Sequence, residues 1–241
     1  RTPVHVMARD DALREMLMQI RSRLLDAPDT VCLDRARLVT EAWKMHAGLP
    51  VPELRARAFA HILANMKLDV DCNPIFAGNT SSRPHAWMLL PEYGLAQDPQ
   101  VLIENDGLEG LLDGDAIPAE MSEFWQSRSL NAGGAGIGHL AVDLGRVVNE
   151  GLEAIICEAE SFVDEKDEAR RQYRRAMAIA CRAVIDWAGR YAQAAERAAA
   201  ETGDPLIRQA HLRVAEACRR VPAQPARNLF VAGAVAVLLD E

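Results

Sequence analysis

His139 and Asp143 stand four residues apart where a glycine-rich run gives way to helical patterning. At that spacing two side chains share one face of a helix, and the first backbone N–H groups of the helix are free to meet a polar ligand. An imidazole placed there can donate to, or pass a proton toward, a leaving hydroxyl near neutral pH. The preceding Gly133, Gly134, Gly136 and Gly138 let the backbone come close to such a ligand. Spacing alone favours a plainer role, with His139 satisfying the helix end and Asp143 making a surface or capping bond. A second polar stretch holds Asn79, Ser81, Ser82, Arg83, His85 and Trp87. One arginine among serine hydroxyls can hold a carboxylate, although in isolation such a stretch is more often a turn with satisfied side chains.

Other chemistries find little support. Gly136-x-Gly138-x-x-Ala141 matches a dinucleotide-binding pattern in letters only. That pattern works between a strand and a helix, and Ser127-Arg128-Ser129-Leu130-Asn131 is no buried strand. No nucleophile elbow, P-loop or HExxH helix is present. The five cysteines (Cys32, Cys72, Cys157, Cys181 and Cys218) are odd in number and include no CxxC pair. They read as reduced thiols of a cytoplasmic protein, with no metal site.

The elements that must position these residues are mostly helices. Leu13, Leu17, Ile20 and Leu24 share a face of a first helix that starts near Asp10 and is closed by Pro28. Asp34 to His46 forms a second, ended by Gly48 and Pro50. Pro52 opens a third, which runs to about Met66. Residues 68–118 lose this period, and Ile75-Phe76-Ala77, Met88-Leu89-Leu90 and Val101-Leu102-Ile103 read as short strands or extended loops. Ala119 to Arg128 is a short helix. One helix is expected from Val142 to Val163 and the longest from Asp167 to Ala200, with Met177, Ala180, Val184, Trp187, Tyr191, Ala195 and Ala198 as its buried stripe. Asp204 and Pro205 start another that reaches Arg220, and a last apolar helix occupies Leu229 to Leu239. Trp43, Trp125 and Trp187 sit at core spacing. The fold class is mainly α, with short strands and loops in residues 68–118. No linker or repeat interrupts it, so residues 1–241 form a single domain.

The chain has 241 residues, 49% of them apolar, which is enough to bury a core. A net charge of −8 with scattered Lys and Arg argues against nucleic acid or an anionic membrane as the partner. No stretch reaches the roughly 20 apolar residues that span a bilayer, and Arg1-Thr2-Pro3-Val4 leads into no signal-peptide core.

Several segments, taken in order, carry a resemblance. Arg35-Ala36-Arg37-Leu38-Val39-Thr40-Glu41-Ala42-Trp43-Lys44, then Gly48-Leu49-Pro50, Arg55-x-x-Ala58 and Leu63, resemble the amino-terminal region of glycyl radical enzymes of the pyruvate formate-lyase-like type. Ile75-Phe76-Ala77-Gly78-Asn79 is similar to their "(I/V)-V-G-N" segment, and Arg83 and Pro91-Glu92 continue the match. Gly138-His139-x-x-x-Asp143, with Val147 and Gly151-Leu152, resembles the "GHxxxDYxxVLxxGL" block of the dehydratase, decarboxylase and lyase branches. Arg190-Tyr191-Ala192, Cys218-Arg219-Arg220-Val221-Pro222 and Pro225-Ala226-Arg227 resemble "RYAxxA … CxxVPxxPxR".

The resemblance implies the helical outer part of an α/β barrel, a fragment of a larger domain. In that family a glycyl radical makes a thiyl radical on the cysteine of a "CxE" loop, and the thiyl takes hydrogen from the substrate. Neither that loop nor the "RVxG(Y/F)" loop occurs here; Cys157-Glu158-Ala159-Glu160 has its glutamates at the wrong offsets and lies mid-helix. Leu144 also replaces the aromatic that usually follows the aspartate. The implied reading is the amino-terminal portion of a radical lyase or dehydratase acting on a small polar or carboxylate substrate. This chain alone is then inactive and binds no cofactor. The complete enzyme would carry a glycyl radical, installed by an activating enzyme that uses S-adenosylmethionine and an iron–sulfur cluster. Its other partners would be the remainder of the chain, the substrate and, in a homodimer, a second copy. The resemblance gives His139, with Asp143 orienting it, the catalytic role; Arg83 and Asn79 are the candidate substrate contacts. The alternative is a non-catalytic helical scaffold or binding protein derived from the fold.

Overall fold

The computed structural model describes residues 4–70, 74–79, 81–83, 86–92, 98–112, 116–128, 143–163, 165–228 and 231. Its elements are α1 (Val4–Asp26), β1 (Thr30–Cys32), α2 (Asp34–Met45), α3 (Val51–Asn65), β2 (Ala86–Met88), α4 (Pro99–Asp106), α5 (Ala119–Gln126), α6 (Leu144–Glu150), α7 (Leu152–Ser161), α8 (Glu168–Glu201) and α9 (Pro205–Cys218). A 3-10 turn at Glu109–Leu111 follows α4. β1 and β2 pair in parallel, with Val31 opposite Trp87.

Helix α3 divides the molecule into two cores. On one side Ala58, Ile62 and Met66 join β1, α2, α4 and α5 around Trp125, Ile103 and Val39. On the other, Leu63 and Phe59 face α6 to α9 around Trp187, Tyr191 and Val214. The buried stripe of α8 alternates Trp187 and Tyr191 with Ala183, Ala188, Ala192 and Ala195. These small residues let α3, α7 and α9 pack against it closely, while the two rings meet edge to face at 5.3 Å. The Trp125 indole is fully buried yet satisfied: Nε1 donates to Thr40 Oγ1 at 2.7 Å, and that hydroxyl donates to the Ala36 carbonyl at 2.6 Å.

Helix ends follow the side-chain chemistry of their caps. Asp167 and Asp204 accept the first free N–H groups of α8 and α9, with Pro205 in the opening turn of α9. Arg190 crosses from α8 to donate to the Leu63 and Met66 carbonyls, closing the carboxyl end of α3.

Several boundaries differ from the sequence expectation. Val101-Leu102-Ile103 lies in α4, not a strand, because Asp98 caps that helix, Pro99 opens it and Gly107 ends it at φ 65°. Ile75-Phe76-Ala77 forms no regular element, and only Met88 of Met88-Leu89-Leu90 is in a strand. The single helix expected up to Val163 is two, α6 and α7, broken at Gly151 with φ 81°. The first helix begins at Val4, and its expected apolar face stays open: Leu13, Leu17 and Leu24 are exposed, and among the described side chains of the helix only Met16 is buried. In α8 the stripe is buried from Val184 to Ala198, while Met177 and Ala180 are half-buried. The expected helix at Leu229 to Leu239 lies outside the described residues except Val231. Among the described residues no helix is long and apolar enough to cross a membrane.

Glu53 ties α3 to α8. Arg57 Nη2 donates to its Oε1 at 2.8 Å, and Arg175 Nη1 reaches Oε2 at 3.5 Å. The Arg57 hydrogen bond holds this buried carboxyl below its ordinary range, against the cost of burial. The folded chain therefore keeps Glu53 ionised where the unfolded chain has already bound a proton. Its contribution is complete above the ordinary value of 4.5 and is lost as pH falls through the lowered one. We expect Glu53→Gln to cost about 1–2 kcal/mol at neutral pH, because Arg57 and Arg175 are half-exposed or more. Thermal melts of both proteins from about pH 7 to about pH 3 should converge at the acid end. Parallel curves would count against this.

Candidate functional site

The loop that carries Asn79 and Arg83 is pinned at both ends. Gly78 turns it with φ 133°. Asn79 Nδ2 then donates to the carbonyls of Lys67 at 3.0 Å and Ser81 at 2.6 Å, while Oδ1 accepts the Tyr191 hydroxyl of α8. The amide is engaged on both its oxygen and its nitrogen, so Asn79 buckles this loop to α8. At the other end Ser82 donates to Asp34 Oδ2 at the start of α2 and lies 3.2 Å from the Cys32 thiol of β1. Arg83 Nη1 donates to Thr30 Oγ1 at 3.3 Å, and that hydroxyl donates to the Leu111 carbonyl at 3.3 Å. The half-buried guanidinium is thereby held against β1.

Asp143 is the N-cap of α6: its Oδ1 accepts the Arg146 N–H at 3.0 Å. It is exposed, and the capping bond set out as an alternative is the one that forms. His139 and the glycine run lie outside the described residues. Val147, one turn along α6 from Asp143, packs in the same core as Ala77 and Tyr191. The Asn79 loop and the helix begun by Asp143 are therefore mounted on one body. Arg190 and Tyr191 received no individual role from sequence, yet one closes α3 and the other holds Asn79; their place in the "RYAxxA" segment was the available signal.

Cys157 is exposed on α7, and the neighbouring glutamates serve the surface, Glu158 pairing with Arg146 and Glu160 with Arg182 at 2.6 Å. Burial pushes the Cys218 thiol up to about 12, so it stays protonated. Among the described residues no three His, Cys, Asp or Glu side chains gather as a metal site.

The profile of the family described as pyruvate formate lyase-like matches residues 11–233 of this chain. The chain belongs to that family. Among pyruvate formate lyase-like proteins, it is 25% identical to (2S)-3-sulfopropanediol dehydratase of Klebsiella oxytoca over 244 residues, covering 84% of this chain and 29% of that enzyme. It is 26% identical to trans-4-hydroxy-L-proline dehydratase of Clostridioides difficile, covering 87% of this chain and 31% of the relative. The fold is similar to a glycyl radical enzyme from Archaeoglobus fulgidus, with a TM-score of 0.78 and 24% identity over 92% of this chain and 33% of that one. The chain thus spans about a third of the length of these pyruvate formate lyase-like relatives, as a mainly helical part of their fold.

Proposed function

We propose that the chain is the amino-terminal portion of a glycyl radical lyase or dehydratase, supplying helical wall and part of the substrate pocket. The observation that carries this reading is the family match over nearly the whole chain, with two curated relatives that are dehydratases. The substrate is a small polar or carboxylate-bearing molecule. His139 hydrogen-bonds a substrate oxygen, and Asp143 orients the ring or shares the contact. Arg83 and Asn79 stand near the substrate on a loop already braced against β1 and α8, which suits residues that must hold position. The catalytic cysteine and the glycyl loop belong to the remainder of the enzyme. A separate activating enzyme, with S-adenosylmethionine and an iron–sulfur cluster, installs the radical. The complete protein works in the cytoplasm, and a homodimer is compatible with it.

Reading the gene beyond the codon for Glu241 tests this. An open frame that encodes "CxE" and then "RVxGY" is the expected result. A stop codon without them would favour a scaffold descended from the fold.

A further inference from the structure

A cleft of about 310 Å³ opens between α2 and α3, and its lining includes none of Asn79, Arg83 and Asp143. Arg35, Val39 and Trp43 face it from α2 at four-residue steps, and Arg55, Phe59 and Ile62 face it from α3. Glu92, just beyond β2, completes the lining. Small-molecule sites have this composition: mostly apolar walls, a few polar groups and a volume upward of roughly 300 Å³.

The polar groups are unevenly matched. Arg35 Nε donates to Glu92 Oε1 at 3.1 Å, and both side chains are largely buried. Among the described residues Glu92 Oε2 is buried with no hydrogen-bond partner, which is costly unless something supplies one. Arg55 stands exposed, close enough to act on Glu92 through its charge, and forms no hydrogen bond to any described residue. Arg35 and Arg55 both act on Glu92 through their charge, while burial pushes the Glu92 carboxyl toward its neutral form.

We propose that this cleft binds a small carboxylate with an apolar body. The carboxylate takes the planar fork of Arg55, which offers paired N–H donors in the geometry such a group prefers. Glu92, when neutral, supplies Oε2 as a donor toward the same ligand. The apolar body lies against Trp43 and Phe59, whose faces are only half-buried without it. Neither Asn79 nor Arg83 lines the cleft, so Arg55→Ala leaves both of them in place.

Benzoate is the probe, titrated into the 241-residue chain by calorimetry, with uncharged benzamide and cationic benzylammonium as comparisons. Two-dimensional NMR of the tryptophan indoles locates the site. Benzoate should bind saturably, shift the Trp43 indole signal more than that of Trp187, and bind about tenfold or more tightly than benzamide. Arg55→Ala should weaken benzoate by about tenfold or more with little change in melting temperature, because this arginine is exposed and forms no hydrogen bond to a described residue. Absence of saturable binding below about 10 mM, tighter binding of benzylammonium, or unaltered binding by Arg55→Ala would each overturn the proposal.

Discussion

Gly151→Ala lowers the stability of the chain by about 3 kcal/mol or more. Gly151 joins α6 to α7 with φ 81° and ψ 162°, a region that side chains other than glycine scarcely enter. A Cβ there would run into the Ala223 carbonyl oxygen and meet Gln224 Cα at 2.7 Å, both backbone atoms. The crossing segment cannot retreat cheaply. Leu152 N–H donates to the Pro222 carbonyl at 2.8 Å, Glu153 N–H to the Ala223 carbonyl at 3.0 Å, and Ala226 N–H to the Val148 carbonyl at 2.9 Å. Relief of the clash therefore breaks hydrogen bonds as well as straining the junction. Gly189 inside α8 is the control. It has nothing within 4 Å of an added Cβ, so Gly189→Ala should stabilise the chain by roughly 0.5–1 kcal/mol. Urea denaturation of both variants checks the pair of signs; a Gly151→Ala chain as stable as the parent would refute the close-approach argument.

His139→Ala, made in the complete activated enzyme, should lower turnover by about two orders of magnitude or more, the usual worth of a positioned acid–base group. Stability should change little, by at most about 1–2 kcal/mol. The neighbouring Asp143→Ala should differ in kind, because Asp143 caps α6 through the Arg146 N–H. It should lose about 1 kcal/mol from the cap in addition to any effect on turnover. If His139→Ala instead lowers the melting temperature and leaves turnover per folded molecule unchanged, the histidine serves the helix end and the catalytic assignment fails.

Legibility of the fold depended on how local each signal was. The starts of α8 and α9 could be read from Asp167 and from Asp204-Pro205, because a cap acts within one turn. α4 carried the same kind of signal in Asp98-Pro99 and Gly107, but eight residues give helical periodicity too little length to outweigh a short apolar run. β1 was not anticipated, since three residues paired with a strand over fifty positions away have no local pattern. The break at Gly151 depends on residues 222–226 crossing the junction, a contact that periodicity does not encode.

The candidate site divides along the same line. Asn79 stood out within a segment shared with the family, but its buckle to Tyr191 spans 112 positions and needs the packing of α8. The unfilled bond of Glu92 likewise depends on Arg35, 57 residues away. Asp143 was readable as either a cap or a catalytic partner, because one carboxylate has the chemistry for both.

We propose that this chain is one part of a radical enzyme, with the reactive loops in the remainder of that enzyme. Electron paramagnetic resonance after anaerobic treatment with an activating enzyme and S-adenosylmethionine tests it directly. The complete polypeptide should give the doublet of a glycyl radical, and residues 1–241 alone should give none. A doublet from the 241-residue chain, or none from the complete polypeptide, would contradict the account.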